Sequence, residues 1–162
     1  MMEQEILRLR DDLISNDKEK ALSAYKSLFK LGYEAIPYLL EEANNIEISP
    51  IQITVPPVLS IKMPKDYQQT KGTVVLYLIE AIRINVMFHS IPVISYEQEY
   101  SWKDIIRQQI TNQKVACCDY LRWWEKYKET GDANKDKQVV PWSGWRRDAS
   151  FDNDKWLRKW IR

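Results

Sequence analysis

The 162-residue chain predicts an all-α domain, and three observations carry that expectation. Apolar residues recur every three or four positions along most of its length. Starts and stops are marked where such stretches meet: Asn16 with Glu19, Gly32 after Leu31, and Gly131 after a Trp-Trp run. The helical pattern gives way mainly between residues 46 and 69, where apolar and polar residues alternate among prolines.

The first helix is expected over Met2 to Ser15, with Ile6, Leu9, Leu13 and Ile14 on one stripe. Asn16 and Glu19 read as a capping-box pair opening the second. That helix carries Leu22, Tyr25, Leu28 and Phe29 and stops at Gly32, which suits the position after a helix end. A third begins near Tyr33 and turns Ile36, Leu39, Leu40 and Ala43 inward. Pro37 is compatible with its first turn, where no helical hydrogen bond is lost. Pro50, Pro56, Pro57 and Pro64 rule out a helix between Asn45 and Thr70, so this reads as an extended excursion or short edge hairpin. Long irregular stretches inside small domains are often functional, and Ile51, Ile53 and Val55 are candidate contact residues there; a packed arm covering one end of the bundle is the equal alternative.

Thr73 to Arg83 reads as a buried helix interrupted by Glu80 and Arg83. Around His89 to Pro92 the pattern is again irregular. Ser101 with Asp104 is expected to cap a short helix bearing Trp102, Ile105, Ile106 and Ile110. A separate Trp-Trp helix is expected from Asn112 to Glu129. After a polar loop, residues 141–162 read as a Trp-rich closing segment whose last helix places Trp156 and Trp160 on one face. No internal boundary divides the chain, so residues 1–162 read as one domain.

Several of these stretches resemble HEAT repeats. Ala21-Leu22 through Leu28 and Leu31-Gly32 to Ala35-Ile36-Pro37-Tyr38-Leu39-Leu40-Glu41 is similar to one such repeat, with an Ala-apolar-Pro start to its second helix. Thr73 to Arg83 looks like a buried repeat helix. Tyr120 to Tyr127 is similar to the Trp-Trp helices that close some small bacterial HEAT-like proteins. The resemblance implies a short stack of antiparallel helical hairpins, capped at its ends, with a broad concave face for a macromolecular partner. HEAT-like scaffolds serve many purposes, so the resemblance names no activity.

Composition narrows the function classes. The longest apolar helical run is about half what a bilayer needs. The opening Met1-Met2-Glu3-Gln4-Glu5 lacks a signal-peptide pattern, so a cytoplasmic protein is expected. Adjacent Cys117 and Cys118 would point about 100° apart on a helix, which opposes a mutual disulfide and suits a reducing compartment. Two thiols and one histidine, His89, do not complete a tetrahedral metal set. Gly131 to Asp136 begins as a calcium loop does, but Lys137 stands where the turn needs Gly and Ser143 where a bidentate Glu belongs. With four glycines there is no phosphate-cradling loop, dinucleotide fingerprint or nucleophile elbow. No catalytic residue, cofactor or metal is therefore expected.

Charge is uneven although the formal net is +1. Residues 1–60 are acidic; residues 101–162 are basic and hold every tryptophan. Glu41 and Glu42 lie on a polar helix face that could steer a basic partner. The Trp-rich end reads first as core packing that holds the fold together. Trp145 with Arg146 and Arg147 could instead anchor a protein interface, since Trp and Arg dominate binding hot spots. The expected function is a non-enzymatic protein-binding module such as an adaptor, inhibitor or immunity-type protein. The alternative is a nucleic-acid-associated helical-repeat protein that uses the basic Trp/Arg-rich third.

Overall fold

The computed structural model describes residues 2–53, 68–87, 102–130 and 141, the side chains of residues 102–109 and 130 excepted. Most of these residues are helical, and none of them forms a strand.

Helix α1, Met2–Leu13, buries Ile6, Leu9 and Leu13, three positions spaced to share one face. It ends earlier than expected: Ile14 and Ser15 close it as turns, through Ile14 N–H to Arg10 O and Ser15 N–H to Asp12 O. The cap of α2, Lys18–Leu31, is Asp17 and not Asn16. The Asp17 carboxylate accepts from the amides of Glu19 at 3.0 Å and Lys20 at 3.1 Å. Glu19 is thus only the second helical residue, one position short of a capping box. An ionised carboxylate at the positive helix end satisfies orphan amides and favours the local dipole.

Helix α2 buries Ala21, Ala24, Tyr25 and Leu28 and packs against α1. Gly32 ends it at φ 72°, a left-handed value that a side chain would resist. The chain then tightens into a 3-10 turn, Gly32–Ala35, before α3, Ile36–Leu40. The third helix is therefore shorter than its apolar pattern suggested. Its inward set holds nevertheless: Ile36, Leu39, Leu40 and Ala43 are all buried. Ala43 gets there through i to i+3 turns rather than a continued helix.

Helix α4, Lys71–Ile84, is the centre of the described structure. Every residue from Lys71 to Arg83 is buried. A helix apolar around its circumference has no solvent face to offer, so it must be enclosed. It is enclosed by α2, α3, the 3-10 turn and α5. Burying each of its large aliphatic side chains contributes about 1.5–3 kcal/mol before entropy is counted. Thr70 caps its start, and Asn85 closes it in the left-handed conformation at φ 60°.

Helix α5 runs unbroken from Trp102 to Thr130. It replaces the two helices expected on either side of residues 110–112. Gln108-Gln109-Ile110-Thr111-Asn112 is polar but lacks Gly or Pro, and polarity alone does not interrupt a backbone ladder. At 29 residues it is about 43 Å long. Gln113, Ala116, Tyr120 and Trp124 form its buried stripe, packed on α3 and α4.

Among the described residues the excursion contributes one antiparallel bridge, Ile48 to Thr70; an edge hairpin would fall on residues outside them. Residues 54–67, the stretch around His89, the cap of α5 at Ser101 and the Trp-rich segment 142–162 lie outside the described residues. So does the calcium-like loop. The three stretches that resemble HEAT repeats are helical: α2 with α3, α4, and the C-terminal half of α5.

Candidate functional site

The excursion leaves and rejoins the bundle at one point, and side-chain amides hold that point shut. Gln69 mimics a strand neighbour for Ile53, accepting from its amide and donating to its carbonyl, both at 2.8 Å. Gln52 answers from the other side. Its Oε1 accepts from Gln69 N–H at 2.7 Å, while its Nε2 reaches Ser49 O at 3.1 Å and Gln69 O at 3.3 Å. Main-chain bonds from Ser49 to Gln69 and from Lys71 to Glu47 complete the clasp. The ion pair Lys71–Glu47, at 2.9 Å, lies across it.

A third glutamine ties this clasp to α5. Gln113 Nε2 donates to Ala43 O and Asn45 O, each at 3.0 Å, and its Oε1 accepts from the Thr70 hydroxyl at 2.6 Å. Gly72 makes room for it: a methyl there would overlap the Gln113 amide and both carbonyl oxygens. All of these polar atoms lie at or near the buried junction, where an unpaired group would be costly.

The clasp fixes which isoleucines face water. Ile51 and Ile53 are each 4% exposed and belong to the core, so they offer no contact surface. Ile46 and Ile48 are 58% and 49% exposed. The reversal follows from spacing. Residues 46 and 48 share a face at period two, but three positions separate Ile48 from Ile51 across Ser49-Pro50, which moves the next pair to the opposite side. The step between the two sets decides which faces inward.

The acidic candidates lie at the exit of α3, just before this junction in sequence. Glu41 is exposed and accepts from Arg10, which also donates to Tyr38 O at 3.0 Å. Glu42 is half-buried and accepts from Asn45 at 3.3 Å. Val55, Trp145, Arg146 and Arg147 lie outside the described residues.

Two further clusters join residues that were not among the candidate contacts in the sequence. In the first, Glu80 and Arg83 form a two-pronged pair at 2.6 and 2.7 Å, both fully enclosed. The Tyr120 hydroxyl donates to the same Glu80 carboxylate at 2.7 Å, and Tyr33 OH donates to Arg83 O at 3.1 Å. Burial and the neighbouring Glu80 charge push the Tyr120 hydroxyl well above its usual pKa. Burial would lower that of Arg83, but the charge of Glu80 and its hydrogen bond outweigh it, so the guanidinium stays charged. Opposite charges one turn apart in an apolar helix were the available sign of this cluster. It lies too deep to present a ligand with a reactive group.

In the second, Tyr127 stacks on Tyr33 at 4.9 Å, on Trp124 at 5.4 Å and on Trp123 at 5.7 Å between ring centres. Trp124 is buried, while Trp123, Tyr127 and Tyr33 are half-buried. Their ring faces are largely spent on one another, which makes a seam between α5 and the 3-10 turn. Nearby Cys117 is half-buried and Cys118 exposed, and both are free thiols.

Among the described residues no three His, Cys, Asp or Glu side chains gather as metal ligands. No helix among them is long and apolar enough to cross a membrane. No protein-family model, curated protein or solved structure matches the chain.

Proposed function

We propose that this chain is a non-enzymatic protein-binding module built on a short HEAT-like stack of helical hairpins, working as a cytoplasmic adaptor or inhibitor. The observation that carries the reading is the exposed pair Ile46 and Ile48, on backbone tied to Gln69, Thr70 and Lys71 a few residues beyond Glu41 and Glu42 in sequence. Apolar side chains on backbone that is already fixed cost less ordering entropy on association, which favours a surface of this kind. The carboxylates at its margin would favour a partner with basic residues around an apolar contact. Free Cys117 and Cys118 suit a reducing compartment.

Affinity capture from an extract of the source organism tests it, comparing the parent with the double variant Ile46→Asp/Ile48→Asp. A specific protein should be held by the parent and at least tenfold less by the variant, with both samples equally folded by circular dichroism. Equal retention by both would remove this surface from consideration. Recovery of nucleic acid instead, in amounts that fall steeply with salt, would overturn the protein-binding reading.

A further inference from the structure

We draw no further inference here: the strongest candidate, the half-buried aromatic seam of Tyr33, Trp123 and Tyr127 between α5 and the 3-10 turn, has its ring faces occupied by one another, and nothing in the structure shows what covers its outer edge.

Discussion

Glu80 and Arg83 sit one turn apart on a helix with no solvent-facing side, and each is tolerated there because the other is present. Removing one partner of a buried pair strands a charge in a medium that solvates it poorly. Glu80→Gln is therefore expected to destabilise the fold by about 3–5 kcal/mol in urea titrations. A loss under 1 kcal/mol would mean that water reaches the pair. Tyr120 adds a pH dependence. Its hydroxyl titrates above the ordinary value of 10.0 in the folded chain and near that value when unfolded. Above pH ~10 the unfolded state thus sheds a proton that the folded state keeps, so stability present below that pH falls as pH rises further. Tyr33 and the Cys117 thiol, both raised first of all by burial, act in the same direction. Urea midpoints from pH 8 to 11 should decline in the parent and decline less steeply in Tyr120→Phe; parallel curves would remove Tyr120 from the effect. Glu80 and Arg83 were visible in the sequence as interruptions of an apolar run. Their partner Tyr120 was not, because a contact 40 residues away leaves no local pattern.

At the scale of elements, legibility followed the range of the forces involved. Apolar spacing identified Ile6, Leu9 and Leu13 of α1, Tyr25 and Leu28 of α2 and the inward set of α3, and it marked α4 as buried. Those are consequences of local geometry and of burial. Ile14, Leu22 and Phe29 are only half-buried, and α2 instead buries Ala21 and Ala24. Boundaries were less secure, because a cap depends on which of two neighbouring side chains reaches the open amides; Asp17 does so and Asn16 does not. The unbroken α5 was hidden by a polar stretch that looked like a seam. Gly72 could not have been recognised as a packing residue. Its role depends on Gln113, 41 positions away in sequence, reaching across to Ala43 and Asn45. Gly72→Ala is expected to cost at least about 1–3 kcal/mol, the range for overpacking. Although alanine favours helix over glycine, the added methyl meets backbone oxygens that cannot move aside without opening the clasp. A variant as stable as the parent would show that the approach of Gln113 to these carbonyls is not required.

At the scale of the molecule, α4 is the described element on which α2, α3, the 3-10 turn and α5 all pack, and the clasp fixes where the excursion departs from it. The helical class and a break in the helical pattern at residues 46–53 and 68–70 were both legible in the sequence. The side of the excursion facing outward was not, because the candidate contacts Ile51 and Ile53 are drawn into the core by Gln69 and by the step across Ser49-Pro50. The binding surface proposed above depends on that inversion. It can be tested without knowing any partner, by comparing the thermal melts of Ile46→Asp/Ile48→Asp and Ile51→Asp/Ile53→Asp. The first pair should melt with the parent, within the ~0.5 kcal/mol typical of exposed substitutions. The second should lose several kcal/mol or fail to fold, since it buries unpaired carboxylates. A destabilised first pair with a parent-like second pair would contradict the orientation of the excursion, and the proposed binding surface with it.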